Sequence, residues 1–560
     1  MKHNRWYPIF ALILVAAFVL TACQTATQAP VAQPTKPAET AAPAFTAQKL
    51  EVADCKYGGN LRSIVAPDQF TVAFTFCTPE PAFLPKVSLA SFGIYDSDAL
   101  KAAGGDAAKI NDKPIGTGPY VVKEWVRGDH ITLEANPNYW GTPPVTKTLI
   151  FRWSKEAAQR LLELQSGNTM GIDNPGTDDI PAIEKNAALK NYLRPTPNLL
   201  YLGIQRDTPP WNNESVRQAL AMLLNRQSIV DNFYPKGSMV AQQFVPPTLK
   251  PGYTEGFKYY DLDIAKAKQM LTDAKFDFTK EYELYYADRT RPYFPQPVKI
   301  ATDIQAQLKA VGINIKLIQQ EWAAYLPNVR EGKAPLHLLG WGEDYPDGTD
   351  WYDVFMLGTN AQFGKPFEDI VVQIKIAATS SDPVVRQKAY DEVNKLYKLH
   401  VPSIPIAHSA QFETFDAKVG GVKIGPYNEN FEEMTGIGGK LIFSQGGEPN
   451  SLDCVDETDG DSFRVCDQIF NHLYDFTYGA GTVEPSLAEK CTANADLTVW
   501  TCTMRKDVKF SNGAAFDAMD VFTSFTASWD AANPLHKGRV GDFQYFLDFF
   551  GGQINKPAAK

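Results

Sequence analysis

The pattern that most constrains this fold is the alternation of short strand-like runs with amphipathic helical runs along the chain. Helical spacing of apolar residues occurs at 216–234 and 261–274, and residues 296–320 have the pattern of a helix that stops at Gly312 before a strand. Such alternation is typical of α/β domains, in which helices cover the faces of a sheet. Because 560 residues exceed what one hydrophobic core holds, we predict an α/β protein of about three domains.

The charge of the chain argues against one large class of function. The formal net charge is −10, and no long run of lysine and arginine occurs. Nucleic-acid binding requires a basic surface that replaces the counterions of the phosphate backbone. We therefore expect no nucleic-acid partner.

The start of the chain has the pattern of an exported lipoprotein. A positively charged beginning precedes the apolar run at 9–20, which is too short to cross a bilayer comfortably and is typical of a signal-peptide core. The run ends in Leu-Thr-Ala before Cys23, which resembles the lipobox of bacterial lipoproteins. An ordinary secretory signal is the alternative. We predict a signal peptide at 1–23 with lipidation of Cys23, and a flexible tether at 24–54, rich in Ala, Thr, Gln and Pro.

Six further cysteines form an even set, which in an exported chain is typical of disulfide bonds, although six thiols allow many connectivities. Two of them flank a polar turn between strand-like runs, and two more lie at the ends of a pair of strand-like runs around a Pro-Asp turn. The last two pair by elimination, and free buried thiols are the alternative. The expected disulfides are Cys55–Cys77, Cys454–Cys466 and Cys491–Cys502.

Several segments together resemble a known family. Residues 114–141 contain a Gly-Thr-Gly-Pro-Tyr turn, a strand, a charged hairpin and an Asn-Pro-Asn-Tyr-Trp ending, and they are followed by a matching helical segment at 151–173. Residues 487–521 contain a hairpin followed by Val-Lys-Phe and Asp-Val motifs, and residues 446–476 are similar to a mature N-terminus. This set resembles the extracellular solute-binding proteins of family 5, the peptide- and nickel-binding receptors of ABC importers.

The resemblance implies a two-lobe fold of the type II periplasmic-binding-protein kind, in which two lobes close over a ligand and a smaller third domain packs against the first lobe. The expected domains are a small extra domain at 55–113 and 474–553, a first lobe at 114–200 and 413–473, a second lobe at 201–412, and a disordered tail at 554–560.

The order of these segments differs from the family's order. In the family, the segment like 438–552 comes first and the segment like 58–430 follows. The exchange predicts a circularly permuted chain, with the old termini joined through 426–440. Permutation is tolerated where chain ends lie close together on an exposed surface. An error of sequence assembly is the alternative.

The resemblance also implies where a ligand binds. Residues 340–348 follow a buried strand, and the family's aspartate that pairs with a ligand's α-ammonium corresponds to Asp344, with Trp341 and Tyr345 beside it. The alternative is that this acidic stretch forms a solvated loop and a helix cap. The opposite wall is expected from 447–463, with four candidate contacts: Glu448, Thr458, Asp459 and Gly460.

We therefore expect a lipid-anchored, monomeric receptor in the cell envelope, at the outer face of the cytoplasmic membrane or in the periplasm. It would capture oligopeptides or other small solutes and deliver them to an ABC permease. We expect no cofactor, no metal site and no catalytic residues. A saccharide ligand is an alternative because Trp and Tyr stack on sugar rings, whereas scattered histidines disfavour a metal chelate. A secreted hydrolase is a distant alternative, because carboxylates three residues apart on one loop bracket a scissile bond poorly.

Overall fold

Three large β-sheets organise the chain, and the computed structural model describes residues 45–195, 197–287, 289–358 and 360–556. The strands are β1 (Gln48–Glu51), β2 (Leu61–Asp68), β3 (Thr71–Phe76), β4 (Tyr120–Val126), β5 (His130–Ala135), β6 (Thr148–Trp153), β7 (Gly171–Asp173), β8 (Leu189–Arg194), β9 (Asn198–Ile204), β10 (Met239–Val240), β11 (Glu281–Ala287), β12 (Asn314–Gln320), β13 (Leu336–Gly342), β14 (Ser403–His408), β15 (Gln411–Asp416), β16 (Lys440–Gln445), β17 (Tyr474–Phe476), β18 (Val483–Pro485), β19 (Ala488–Ala493) and β20 (Val499–Met504).

The helices are α1 (Phe83–Lys86), α2 (Ser97–Ala103), α3 (Ala107–Asp112), α4 (Ala157–Gln165), α5 (Ile180–Lys185), α6 (Glu214–Leu223), α7 (Arg226–Phe233), α8 (Ile264–Asp273), α9 (Pro297–Ala310), α10 (Trp322–Arg330), α11 (Gly348–Met356), α12 (Glu368–Ala378), α13 (Pro383–His400), α14 (Gly460–Ile469), α15 (Ala518–Trp529) and α16 (Gln544–Phe550). Short 3₁₀ helices lie at Ala90–Phe92, Phe431–Glu433 and Cys454–Asp456.

Local sequence signals account for many of these boundaries. The helical pattern at 216–234 forms two helices, because the side chain of Asn225 caps α7 and so starts a second helix. Asp263 caps α8 in the same way. Helix α9 ends before Gly312, whose φ of 93° is unfavourable for other residues, and β12 follows as expected.

The first sheet combines strands from both ends of the chain. Its order is β1-β2-β3-β20-β19, and all neighbouring strands are antiparallel. Strands β3 and β20 alternate between buried and half-buried residues, as expected of a sheet with one covered face. The rings of Phe74, Phe83 and Phe525 pack together at centroid distances of 4.9 Å, so α1 and α15 cover that face. We call this part the extra domain.

The second sheet has seven strands in the order β4-β5-β6-β16-β7-β15-β8. Strand β16 lies at its centre and is parallel to both β6 and β7. Its side chains Leu441 and Phe443 are completely buried, so the strand contributes to the hydrophobic core as well as to the hydrogen bonding. We call this part the first lobe.

The third sheet has six strands in the order β10-β14-β9-β13-β11-β12. Every residue of β9 and of β14 is buried, which indicates that helices cover both faces of the sheet. Strand β11 is parallel to β12 and to β13. We call this part the second lobe.

The chain passes between the lobes from β8 to β9 and from β14 to β15, and the two passages are bonded to each other. The Asn198 side chain donates to the Ser409 carbonyl at 2.8 Å and accepts from the Ser409 amide at 2.8 Å. His408 Nδ1 lies 2.6 Å from the Asn198 carbonyl oxygen. The two connections between the lobes therefore form one structural unit.

The part of the chain that the structure describes contains three disulfides: Cys55–Cys77, Cys454–Cys466 and Cys491–Cys502. These are the pairs expected from the sequence. The last joins residues directly opposite each other on the antiparallel strands β19 and β20. Each bond closes a short segment within the extra domain or within α14 and the turn before it.

The mixed α/β architecture confirms the predicted fold class, but several predicted boundaries were wrong. The tether was expected to reach residue 54, whereas Gln48–Glu51 pairs with β2 as β1. The tail was expected to begin at 554, whereas Ile554 is buried and bridges to Asp530. Strands β9 and β15 begin at Asn198 and Gln411, so both lobe boundaries fall two or three residues earlier than expected. The predicted signal peptide, Cys23 and most of the tether lie outside the described residues.

Candidate ligand-binding site

The loop that contains Asp344 begins where a buried strand ends. Strand β13 runs through the second-lobe sheet between β9 and β11, and its first five residues are buried. The Asp347 carboxylate accepts a hydrogen bond from the Thr349 amide and so caps α11, and it also pairs with Arg386 at 2.6 Å. The loop at 343–347 is therefore held at both ends.

Asp344 is half-buried, and its carboxylate has a hydroxyl partner. The Tyr545 hydroxyl of α16 donates to Asp344 Oδ1 at 3.0 Å, and the Asp344 amide donates to Asp350 Oδ2 at 3.0 Å. Burial raises the pKa of Asp344 to about 7, although the Tyr545 hydrogen bond opposes the shift. Among the described residues, Asp344 has no ion pair with a lysine, arginine or histidine.

A second carboxylate, Glu343, lies next to it. Glu343 accepts hydrogen bonds from the Tyr427 hydroxyl and from Trp351 Nε1, the latter at 2.8 Å. Burial raises the pKa of Glu343 to about 8. The Glu343 amide donates to the Pro197 carbonyl at 2.9 Å, so this carboxylate is anchored beside a passage between the lobes.

These two carboxylates line a cavity of about 200 Å³, which we call the ligand cavity. The second lobe contributes Glu343 and Asp344, and Tyr545 lies on α16. The remaining lining residues come from the first lobe, the segment after α1 and the neighbouring loops: Ser88, Leu89, Ala90, Arg194, Pro426, Tyr427, Glu429, Thr458, Gly460, Phe463, Arg464, Asp467 and Phe476. The cavity therefore lies where the three parts of the chain meet.

The first-lobe side of the ligand cavity contains a network of ion pairs. Arg464 on α14 lies 3.2 Å from Asp173 and 3.2 Å from Glu429, and 3.7 Å from Glu413. Arg194 lies 2.5 Å from Glu429 and 3.0 Å from Glu413. Burial opposes ionisation of Glu429, but Arg194 and Arg464 outweigh it and lower the pKa of Glu429. The neighbouring carboxyl of Glu413 has a raised pKa because of burial and the charge of Glu429.

Three of the seven residues predicted to contact ligand line the ligand cavity: Asp344, Thr458 and Gly460. Asp459, between the last two, accepts hydrogen bonds from the amide and hydroxyl of Ser462 and caps α14. Asp459 does not itself line the ligand cavity, although both of its neighbours do, so its contact with a ligand stays a prediction.

The other three predicted residues, Trp341, Tyr345 and Glu448, make packing contacts or hydrogen bonds with other residues of the protein. The Trp341 ring packs against Phe355, and its Nε1 donates to Asp350 at 3.3 Å. Tyr345 is buried, with its hydroxyl 3.1 Å from Thr349 Oγ1 and its ring against Phe549.

Glu448 accepts hydrogen bonds from Trp125 Nε1 and the Gly128 amide, both at 3.1 Å, and it does not line the ligand cavity. The alternative of a solvated loop and a helix cap is correct for the cap, because Asp347 caps α11. It is wrong for the solvated loop, because Asp347 and Asp350 are buried.

Sequence reasoning missed Glu343, Arg194, Arg464, Tyr427 and Tyr545. Arg464 carried a usable signal, because it is a charged residue within the apolar pattern of α14. Tyr545 belongs to a run of aromatic residues whose spacing is typical of a core helix, and its proximity to Asp344 arises only from the tertiary fold.

Comparison with known proteins agrees with this architecture. The profile of bacterial extracellular solute-binding proteins, family 5 Middle, matches residues 28–363 and 482–542. The chain belongs to this family. Its members are binding proteins located outside the cytoplasm, and the chain is a solute-binding protein rather than an enzyme.

Individual relatives are similar over about two thirds of the chain. The dipeptide-binding protein of Pseudomonas aeruginosa is 30% identical over 381 residues, which are 66% of this chain and 71% of that protein. The dipeptide-binding protein of Escherichia coli is 28% identical over 66% of this chain and 70% of that protein. The structure of HbpA2 from Haemophilus parasuis superimposes with a TM-score of 0.60 at 27% identity, covering 67% of this chain and 75% of that one. These similarities confirm the two-lobe fold.

Two further properties concern the described residues alone. None of their helices is long and apolar enough to span a membrane. Their histidine, cysteine, aspartate and glutamate side chains form no group of three or more that could hold a metal ion.

Proposed function

We propose that this family 5 protein captures a short peptide in the ligand cavity and delivers it to the permease of an ABC importer. The observation that carries the proposal is the Asp344 carboxylate, which faces a cavity between the lobes without a cationic partner. An ammonium group supplies the donors and the opposite charge that such a carboxylate lacks. The similarity to two dipeptide-binding proteins supports a peptide as the solute.

The rest of the ligand cavity suits a peptide chain. Thr458 and Gly460 offer a hydroxyl and backbone groups, which bind a peptide main chain without regard to its sequence. Tyr427, Phe463 and Tyr545 offer aromatic surface that excludes water and packs against side chains. The volume of about 200 Å³ favours a short peptide over a long one in this conformation.

Calorimetric titration of the purified chain with Ala-Ala, glucose and a nickel–histidine complex tests this proposal. We expect binding of the dipeptide alone, and weaker binding of N-acetyl-Ala-Ala, which lacks the ammonium group. Mass spectrometry after native purification should detect a retained peptide. Tight binding of the sugar or the nickel complex without dipeptide binding would overturn the assignment.

We also propose that Cys23 carries lipid and anchors the protein. The apolar run and the Leu-Thr-Ala-Cys sequence support this. Several acyl chains together hold a protein firmly at a membrane, whereas one chain gives only marginal binding. The C23A variant should leave the membrane fraction, and its retention there in full would contradict the proposal.

We further propose that the chain is a natural circular permutant. Two features support this. Segments near the two described ends lie together, with the Asn60 amide donating to the Phe550 carbonyl at 2.7 Å, and the predicted junction of the old termini at 426–440 is buried or half-buried over most of its length but ends in an exposed glycine turn. Gly438 and Gly439 in that turn have φ of 63° and 79° and no neighbour on which an added Cβ would clash.

The test restores the segment order of the family. The rearranged chain starts at 439, continues from 556 into 54 through a short glycine-serine linker, and ends at 437. We expect it to fold and bind like the original. We expect equal melting temperatures and equal peptide affinity within about threefold, because few contacts change at an exposed glycine turn. An insoluble product would contradict the permutation.

A further inference from the structure

A second cavity of about 160 Å³ adjoins the ligand cavity. Ser88, Asp467 and Phe476 line both cavities. We call the second one the acidic side pocket. Its other lining residues are Pro119, Tyr139, Trp140, Asn428, Glu432, Phe470, Asn471, His472, Asp475, Tyr478, Glu484, Pro485 and Ser486. Because three residues line both, the two cavities are adjacent, on either side of Ser88, Asp467 and Phe476.

The acidic side pocket combines carboxylates with aromatic rings. Four of its lining residues are acidic, several are aromatic, and neither lysine nor arginine is among the described residues that line it. His472 is occupied by its neighbours: its Nδ1 lies 2.7 Å from Asp475, and its Nε2 lies 3.9 Å from Asp467. Arg505 lies against the Trp140 ring and donates to the Ser486 carbonyl, and it does not line the pocket. Burial opposes ionisation of His472, but Asp475 and Asp467 outweigh burial and raise the pKa of His472. Its charge offsets part of that of the carboxyls, and with four acidic residues against one histidine the ionised lining is negative on balance.

Several buried acceptor atoms in this pocket lack hydrogen bonds. Glu432 Oε2 and Asn428 Oδ1 are buried without a hydrogen-bond partner, as is the Ser486 hydroxyl oxygen. Asn428 and Ser486 are only 9% and 2% exposed. The Asn428 amide nitrogen already donates to the Phe476 carbonyl at 2.8 Å, so the orientation of this amide is fixed with its oxygen free. Buried acceptors without donors are costly, and a ligand with several donors relieves that cost.

The carboxyl groups of the pocket have pKa values that a cation would lower. Burial raises the pKa of Glu432 to about 7, although a hydrogen bond from the Tyr478 hydroxyl opposes the shift and leaves Oε2 as the free oxygen. Burial likewise raises the pKa of Asp467 to about 7, with His472 opposing the shift. A positive group enclosed between them would favour the ionised forms.

We propose that the acidic side pocket takes the cationic side chain of a bound peptide, that of lysine or arginine, while the peptide main chain occupies the ligand cavity. This inference rests on the proposed function. An ammonium has three donors and a guanidinium has five, and neither has an acceptor, which matches the free acceptors of Glu432 and Asn428. The rings of Tyr139, Trp140 and Tyr478 add the electron-rich faces that attract organic cations. A bare metal ion fits poorly, because the described residues form no group of metal ligands there.

The test compares Ala-Lys, Ala-Arg and Ala-norleucine by calorimetric titration of the full chain at pH 7.5. Norleucine has the length of lysine without the ammonium group, so the comparison isolates the charge. We expect both basic peptides to bind at least tenfold more tightly than Ala-norleucine. Equal affinity for Ala-Lys and Ala-norleucine would overturn this inference and leave the proposed function intact. Absence of binding by all three would overturn both.

The E432Q variant then locates the effect, because it keeps the shape of the side chain and removes its charge. We expect E432Q to reduce the Ala-Lys affinity about tenfold and to leave Ala-norleucine unchanged. The matched control is E433Q, since Glu433 is the exposed neighbour and pairs with Lys423; it should change neither affinity. An E432Q variant that keeps the full preference for Ala-Lys, or weakens both peptides equally, would contradict the assignment to this pocket. If E432Q does not fold, S486A, which removes another free acceptor, should lower the preference for Ala-Lys about threefold.

Discussion

Both sides of the ligand cavity contain aspartate and glutamate side chains, but among the described residues only carboxylates on the first-lobe side are paired with arginines. On the first-lobe side, Glu413, Glu429 and Asp173 lie around Arg194 and Arg464. On the second-lobe side, Glu343 and Asp344 have tyrosine and tryptophan donors and no cation among the described residues. The pKa of Glu429 is lowered, whereas the pKa values of Glu343 and Asp344 are raised.

Under the proposed function, this difference separates a structural cluster of carboxylates from one that binds the ligand. A carboxylate that already has an arginine partner gains little from a second cation, and removing its partner leaves a buried charge uncompensated. A carboxylate that lacks such a partner gains strongly when a ligand supplies one. The first-lobe cluster therefore stabilises the lobe, whereas the proposed function assigns the second-lobe cluster to the ligand.

The largest effect on stability is expected when the first-lobe carboxylates lose one of their two arginine partners. R464M keeps much of the side-chain volume but leaves Asp173, Glu413 and Glu429 without one of their partners. We expect a loss of about 3–5 kcal/mol in the free energy of unfolding, as for other buried pairs cut on one side. Denaturant titration measures it. R62M, at an exposed position of β2, is the control and should stay within about 0.5 kcal/mol of the original chain.

The next largest effect is expected at Glu343 and Asp344 on the second-lobe side, where a substitution should reduce ligand affinity rather than stability. D344N keeps the shape of the side chain and removes the charge, so we expect dipeptide affinity to fall by about 2–5 kcal/mol. Calorimetry measures this fall, and D112N, at an exposed helix end, should bind normally. A D344N variant with unchanged affinity would mean that Asp344 is not the ammonium contact.

The raised pKa of Asp344 also predicts how stability depends on pH without ligand. The folded carboxyl has a pKa of about 7 and an ordinary aspartate 3.8, so the folded state holds more protons between these values. Stability contributed by this group therefore falls as pH rises from about 4 to 7. D344N should remove this part of the decline and should be the more stable protein at pH 8. Melting temperatures measured from pH 4 to 8 for both proteins test it; parallel curves would refute the assignment of the shift.

The smallest effect is expected at the hydroxyl that contacts Asp344. Y545F removes the donor 3.0 Å from Oδ1 and leaves the ring in place. The pKa of Asp344 should rise further, so dipeptide affinity at pH 7 should fall by less than tenfold, and stability should change by about 1 kcal/mol. If Y545F binds more tightly than the original chain, the tyrosine instead competes with the ligand for the carboxylate.

The fold could be predicted from the sequence to a greater extent than the site. Alternating patterns and capping residues such as Asp263 are local signals, and the structure follows them at α8, α9 and β12. Asp344 was singled out because the resemblance to family 5 carries a ligand-binding aspartate over to this position; the structure places it at the ligand cavity, and its contact with a ligand stays a prediction. Tyr545 was missed because it reaches Asp344 from 201 residues further along the chain, which periodicity cannot show. Arg464 lies in the same segment as the predicted contacts Thr458 and Gly460, and its charge within α14 was the signal that was overlooked.

The position of β16 affects the order in which the parts can be completed as the chain is synthesised. The six-stranded sheet lies within one uninterrupted stretch, from Asn198 to His408, whereas the seven-stranded sheet needs Lys440–Gln445 at its centre and the five-stranded sheet needs Val499–Met504. Domains generally fold as units as soon as their segments have emerged. The sheet of the second lobe can thus form first, whereas the first-lobe sheet keeps open strand edges until Lys440–Gln445 arrives and the sheet of the extra domain until Val499–Met504 arrives.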